Sequence, residues 1–473
     1  MTILNIYGKS FISGLKTDMQ IIKHIAQSAN IKNVNCIEFK QPNKPCDVAV
    51  FLEHIQENLL SKKNIWIPNH EFISEYDEKC INRMDIILCK THFCKKLIDR
   101  YCLKKNIKPT VIYSGFITIN PLINEDDFWH ELDTVTDNKA DSEVDTVTDD
   151  KADSEVDTVI GSEAANDDHD ELTDKTLFIH FAGTSHYKNT KLLLKHWSNS
   201  SLADNTSIQL IAALKTTSVN KFDPHNLDIK WEEKKMLING QFVHGLAHKN
   251  IFFYNELFDK DTYQYLLKKA KFAICPSNSE GFGHYINISR FAGNYVITLD
   301  APPMNELINE SYGSLIKINK SDTTKNSYVF ISKNFDEPVY TFKKENLEKT
   351  VIDVLDMTDK EIKDKSRVSL QILNKTNKSA YDKILDIFKT QNNKSVKGGD
   401  DGENTYYYGY QLYDQNNFDT TDTEQKCQKN NIYIFLCFLI LDVVILAVIT
   451  VLLFLIIYYT VFRYKRRTCV TLF

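Results

Sequence analysis

Residues 272–306 read FAICPSNSEGFGHYINISRFAGNYVITLDAPPMNE. The apolar run Phe272–Cys275 has the length and composition of a strand, Pro276–Ser277–Asn278 turns the chain, and Gly281 and Gly283 lead into a helical stretch that ends at Gly293. Val296–Leu299 is a strand again. Strand, glycine loop, helix and strand make the repeating unit of a doubly wound parallel sheet. Glycine backbone lies close to a bound group without steric conflict, and the unbonded N–H groups of a helix starting near His284 carry partial positive charge suited to a phosphate. Glu280 enters the same crevice as an acceptor for hydroxyls. An ordinary strand-to-helix turn with a solvated glutamate fits the same letters, so the flanking chain has to separate the two.

The flanks supply matching parts. From Leu177, LFIHFAG is a strand that delivers Gly183 into a loop; Ser185 follows, and Lys188 stands at the front of the next helix, where its charge adds to the helix dipole. Ile208–Leu214 and Ile251–Tyr254 read as strands, and Asp261–Lys269 as a short helix. DAPPMNEL sets Glu306 after a strand end and a proline-stiffened loop. Leu347–Leu355 and Val368–Phe388 have helical periodicity. At the other end of the chain, TILNIYGKSFISGLKTDMQIIKHIAQ runs from a strand through the Gly8–Gly14 loop into a helix. Val34–Phe39, Val48–Leu52, Asn64–Pro68, Asp85–Cys89 and Thr110–Tyr113 are further strands. Open parallel sheets bind ligands beyond the carboxyl ends of their strands, which singles out the loops Pro68–Glu71 and Cys89–Thr91.

PSNSEGFG followed by an amphipathic helix and Gly293 resembles the donor-nucleotide motif of retaining glycosyltransferases of the GT-B, group 1 (GT4-like) type. Gly183, Ser185 and Lys188 are similar to that family's GxSxxKN-like loop, and Glu306 stands where its members commonly carry a glutamate. The loops at His70–Glu71 and Lys90, with YSGF at 113–116, resemble a subgroup found in fungi and large DNA viruses. The resemblance covers roughly 1–123 and 176–390. It implies an α/β fold of the GT-B kind, with two Rossmann-like domains facing a cleft. It further implies transfer of a sugar, with retention, from a nucleoside diphosphate sugar to an unidentified glycan, lipid or protein acceptor, with no metal and no other cofactor. Glu280 would contact the donor sugar, Lys188 the diphosphate beside Gly183 and Ser185, and Gly281, Phe282, Gly283 and His284 would line the donor. His70 would bond a sugar hydroxyl, Glu71 the acceptor and Lys90 a phosphate, which makes Glu280, Lys188 and His70 the implied catalytic set. One position departs. The family's second glutamate, which holds the ribose, corresponds to Ile288, and isoleucine accepts no hydrogen bond. The alternative is therefore a membrane-tethered binding or scaffold protein on a degenerate GT-B fold.

The 473 residues, 42% of them hydrophobic, suffice for two ordinary domains with additions. A net charge of −6 conceals an asymmetry: residues 133–174 hold 16 acidic residues against two lysines, so the remainder is mildly basic. That balance suits an anionic ligand, and its diffuse spread, without a recognition module, argues against nucleic acid. DTVTDNKADSEV (133–144) recurs as DTVTDDKADSEV (145–156), a 12-residue repeat with too little apolar content for a core and without the glycine and ligand spacing of a calcium loop. It is expected to be a disordered acidic insertion spanning 124–175. The ten cysteines form no CxxC pair, which argues for reduced structural thiols and against zinc.

The start of the chain lacks the apolar stretch of a signal peptide. Residues 391–430 are a polar tether, and residues 431–462 an apolar run longer than the ~20 residues that cross a bilayer. A basic tail, 463–473, begins RYKRR. The expected organisation is a first domain at 1–123, the insertion, a second domain at 176–390 and a single-pass C-terminal anchor, with the catalytic body facing the cytosol. Asp442 is the one formal charge within the span. Removal of residues from 431 onward should abolish partition with membranes in alkaline extraction; release of the full chain at high pH without detergent would exclude a spanning helix.

Overall fold

The computed structural model describes residues 2–396, less the stretches 10–12, 40, 42–44, 57–60, 135–171, 173–174, 217–221, 320–322 and 325–330. All of them belong to one compact unit, Met1–Gly399. The first half runs β1 (Ile3–Gly8), α1 (Ser13–Ser28), β2 (Asn33–Glu38), β3 (Cys46–Leu52), β4 (Ser61–Ile67), α2 (Glu75–Cys80), β5 (Ile86–Cys89), α3 (His92–Lys105) and β6 (Thr110–Tyr113), followed by α4 (Glu125–Thr134). Its six strands form one sheet in the order β2-β1-β3-β4-β5-β6, every pair parallel. Parallel strands covered on both faces need apolar residues on both, which is why β3 carries Val48, Val50 and Leu52 toward α1 and Ala49 and Phe51 toward the opposite core, shared with α3. Local signals set the helix ends. Ser74 and Asp77 form a reciprocal capping box on α2, Thr91 caps α3, and Asn106 ends α3 in the left-handed conformation.

The second half contains β7 (Thr176–Phe181), α5 (Thr190–Ser198), β8 (Ile208–Ala213), β9 (Glu232–Ile238), β10 (Gln241–His248), β11 (Ile251–Tyr254), α6 (Lys260–Lys269), β12 (Phe272–Cys275), α7 (His284–Phe291), β13 (Tyr295–Leu299), α8 (Met304–Leu307) and β14 (Ser314–Ile316). A two-stranded ribbon, β15 (Thr323–Thr324) with β16 (Val339–Tyr340), precedes α9 (Lys344–Leu355) and α10 (Asp359–Val396). The sheet order is β14-β13-β12-β7-β8-β11-β10-β9. Its first six strands are parallel, and the order reverses at β7, between β12 and β8. That reversal is where doubly wound sheets hold ligands. The antiparallel extension β9–β10 was not among the expected strands, although its turn residues Asn239 and Gly240, both at positive φ, spell a hairpin signal.

Several expected boundaries move. The insertion was expected from residue 124, but α4 buries Phe128, Trp129 and Leu132 in the first-half core, because its apolar residues recur at helical spacing ahead of the repeats. Leu172 likewise joins the second-half core. From residue 135 on, the repeats lie outside the described residues, as do most of the expected tether, the expected span and the tail. Residues 391–396, expected as tether, belong to α10. Among the described residues no helix is long and apolar enough to cross a membrane. The second half is also not one continuous block. Ile362 near the start of α10 is buried with the second-half core, whereas Leu373, Ala380, Tyr381, Ile384 and Phe388 are buried with the first.

A strap at residues 331–338 binds the halves a second time. Ile331 bridges to Ser74, the Ser332 N–H donates to the Ile73 carbonyl at 2.9 Å, and Asn334 and Ser332 both bond Glu78. Phe335 enters the outer core of the first half with its ring centroid 4.9 Å from that of Tyr101, and Arg100 pairs with Glu337. Phe335→Ala should cost about 3–5 kcal/mol, the range for emptying a buried aromatic site, whereas Arg100→Ala should cost about 1 kcal/mol or less because that pair is exposed. Urea midpoints of the two variants compare them, and equal shifts would deny the strap its anchor.

Candidate functional site

The second half contributes the ends of β7 and β12, on either side of the order reversal. Beyond β7, Gly183 adopts φ +62° and its carbonyl accepts the Lys215 N–H at 2.8 Å, turning the chain toward β8. Ser185 then leads into a short 3₁₀ turn, His186–Lys188. Lys188 therefore sits ahead of α5 rather than within its first turn, because Asn189 takes the left-handed conformation at the helix cap and its amide bonds the Pro276 carbonyl at 2.8 Å. This bond ties the two loops together and brings Lys188 to Glu280, with which it pairs. The Glu280 carboxylate also accepts the Ser277 hydroxyl, which contacts the Tyr285 hydroxyl, and the Lys188 ammonium lies 4.2 Å from the Tyr285 ring centroid. The loop then turns into α7 through Gly283, at φ +82°, and no side chain caps the helix start.

Facing this loop is the turn after β4. His70 and Glu71 are buried, and the His70 Nδ1 and Glu71 Oε2 atoms, 3.6 Å apart, lack hydrogen-bond partners. Burial lowers the His70 pKa to about 4. It raises that of Glu71 to about 8, helped by the carboxylates of Glu280 and Glu53. Both groups are thus neutral at pH 7. Backbone at Gly281 comes so near that a Cβ there would lie 2.6 Å from Asn69 Oδ1 and 2.9 Å from Glu71 Oε1. A small cavity at the junction is lined by His70, Glu71 and Phe93 of the first half and by Ser279, Glu337 and Tyr340 of the second, among others.

Other expected residues take different places. Lys90, expected to face a phosphate, is buried and donates to Asp18 at 2.6 Å and to Asn69 at 3.0 Å. The reason is Asp18 on α1, a buried carboxylate that requires a cation. His284 reaches the other Asp18 oxygen at 3.0 Å and the Thr118 hydroxyl at 3.2 Å, so its side chain joins the halves while its backbone begins α7. Glu306, expected at the ligand edge, accepts the N–H groups of His92 and Phe93 at 2.8 and 2.7 Å and thereby caps α3 from the opposite half. Ile288 is half-buried against the second-half core, and Phe282 packs edge-on to Phe116 at 5.7 Å. Sequence reasoning gave no role to Asp18, Ser277 and Tyr285, and singled out the loop of Asn69 without naming that side chain. Ser277 and Tyr285 stood within the glycine-loop stretch, but nothing local marks Asp18 as a partner for chain 72 residues away. Among the described residues no group of three or more His, Cys, Asp or Glu side chains is set to hold a metal.

Gly281→Ala tests the close approach. The added methyl must displace Asn69 or Glu71, and Asn69 is held by Glu53 and Lys90. A loss of about 1–3 kcal/mol, the usual cost of overpacking, is expected in thermal or urea unfolding, together with faster hydrogen exchange in 68–72 and 278–284. Wild-type stability in this variant would show that the loops are not in contact.

No family model matches the chain, and no curated protein matches it either. Among solved structures, a trehalose-6-phosphate synthase studied with bisubstrate glycomimetics, in work on glycosyltransfer with retention, aligns at a TM-score of 0.50 and 10% identity, over 82% of this chain and 99% of that one. HepE from Anabaena, in complex with UDP and glucose, aligns at 0.44 and 10% identity, over 84% and 99%. The GtfA/B complex aligns at 0.43 and 10% identity, over 79% of this chain and 61% of that one. Pneumococcal O-GlcNAc transferase GtfA, in complex with UDP and GlcNAc, aligns at 0.43 and 9% identity, over 74% and 57%. The chain thus spans less than two thirds of the length of those last two. At these identities the likeness speaks to fold alone. The likeness to the synthase, with the two sheets and their strand order, shows that the chain has the GT-B fold.

Proposed function

We propose that the chain is a retaining glycosyltransferase that moves a sugar from a nucleoside diphosphate sugar to an acceptor held by the first half. The observation that carries this reading is the pairing of Lys188 with Glu280 at the order reversal, beside an uncapped helix start and opposite two buried, unpartnered polar groups. In the absence of donor the two charges satisfy each other. A diphosphate would draw the Lys188 ammonium toward its own charge, and the N-terminus of α7 would add to that attraction where negative charge grows on the leaving group. Glu280, freed from Lys188, would accept hydroxyl hydrogens of the sugar and fix its orientation. No metal is invoked. Residues 431–462 would hold this body at a membrane, on the cytosolic side.

A binding or scaffold role is favoured by one observation: Ile288 packs apolar surface at the position where the resembling family bonds ribose. Restoring a charged acceptor there is worth roughly 1.5–3 kcal/mol, or about ten- to a hundredfold in affinity. Calorimetric titration with UDP, GDP and their sugar conjugates, paired with a transfer assay, separates the readings. Ile288→Glu should tighten donor binding, Lys188→Ala should weaken nucleoside diphosphate and intact donor alike, and Glu280→Ala should impair transfer while sparing diphosphate binding. No nucleotide binding by the wild type and by Ile288→Glu would favour the scaffold.

A further inference from the structure

We infer that the cavity between His70, Glu71 and Ser279 makes the donor site selective for an uncharged, hydroxyl-bearing sugar and hostile to a sugar carboxylate, with Glu71 as the residue that makes this selectivity depend on pH. The inference rests on the donor reading above and adds the charge class of the sugar. More than nine-tenths of buried backbone polar groups, and most buried side-chain polar atoms, have hydrogen-bond partners, yet His70 Nδ1 and Glu71 Oε2 meet at this junction with none. A hydroxyl both donates and accepts, so a sugar can satisfy an imidazole and a carboxyl together. The cavity has room for about one water molecule. A sugar ring therefore enters only as Glu337, Pro338 and Tyr340 draw back from His70 and Glu71 while Phe335 stays seated.

The charged groups around this space are carboxylates and their partners: Glu337 pairs with Arg100, Glu280 with Lys188, and Glu53 with Lys9 and with His54, whose pKa, against the effect of burial, the Asp77 and Glu53 carboxylates raise to about 9. Glu71 and Glu337 line it, the carboxylates of Glu280 and Glu53 act on Glu71, and none of the described lining residues is lysine or arginine. Among the cations, Lys188 acts on Glu71, and its ammonium is engaged by Glu280. Glu71 itself displays the penalty: burial, with the two neighbouring carboxylates, keeps it protonated up to a pKa of about 8. A uronate carboxylate placed beside it would meet the same desolvation, with no lysine or arginine among the described lining residues to pair with it. As pH rises through 8, Glu71 ionises and its repulsion of that carboxylate grows. His70, with its pKa near 4, stays neutral throughout, and the Cys94 thiol, which senses Glu71, titrates above its ordinary range.

The test is calorimetric titration of the full chain with UDP-glucose, UDP-glucuronate and UDP, and with GDP-mannose, GDP-mannuronate and GDP, at pH 6.5 and 9.0. Whichever base is accepted, the neutral conjugate should bind at least tenfold tighter than its uronate at pH 6.5, with a wider gap at pH 9.0. Glu71→Gln, of the same shape and without a titratable group, should show the same gap at both pH values. A uronate that binds as well as the neutral sugar overturns the inference, as does a gap in Glu71→Gln that widens with pH as it does in the wild type. Failure of every diphosphate to bind sinks the donor reading itself and the inference with it. If Glu71→Gln does not fold, the comparison within the wild type decides alone.

Discussion

A single buried carboxylate holds the two halves in register. Asp18 is 2% exposed and, unpaired, would cost several kcal/mol; burial opposes its ionisation, and Lys90 and His284 outweigh that, keeping its carboxyl below the ordinary range. One oxygen belongs to the first half, through Lys90, and the other to the second, through His284. The chain of bonds continues from His284 to Thr118, from Thr118 to Asn287 and Asn377, and from Asn287 through Arg290 to Ser369 on α10. The start of α7, and with it the glycine loop, is thereby fixed by residues of the first half and of the crossing helix.

The contacts across the cleft are of two kinds, and they differ in what a ligand can do to them. Glu306 on the start of α3 makes hydrogen bonds that water or a ligand can replace one for one. Phe335 in the outer core, and Phe282 against Phe116, are apolar burials with no aqueous substitute. Opening the cleft at the polar contacts while the apolar ones stay seated would be a rotation about the strap and α10 rather than a separation of the halves.

Much of the architecture was legible because parallel strands buried on both faces must be apolar along their whole length. Thr110–Tyr113, Ile251–Tyr254 and Phe272–Cys275 run as the sequence predicts them, and the other expected strands shift at one or both ends by three residues or fewer. The β9–β10 hairpin was overlooked because its alternating charged and apolar letters are weak, even though Asn239–Gly240 announced it. At the site, Lys188 and Glu280 were found by pattern, but their pairing was not, since a motif names residues and not the partners they choose when no ligand is bound. Glu306 and Lys90 were assigned to a ligand, and both bond other parts of the chain in the structure. Both stand at strand ends, where sequence cannot distinguish a group that waits for a ligand from one already occupied by distant chain.

The return of α10 to the first half bears on how the protein is made. Thr2 bonds Asn392 at 2.8 Å, and the core around β1 and α1 contains Ala380, Tyr381, Ile384 and Phe388. On the ribosome, the first half emerges more than two hundred residues before the helix that completes its core. Until that helix arrives, the apolar face of α1 is partly uncovered, and the slowest contacts of the fold are those between the two ends of the described chain. The half synthesised first is thus the half finished last, and its nascent form is a natural client for whatever shields apolar surface during translation.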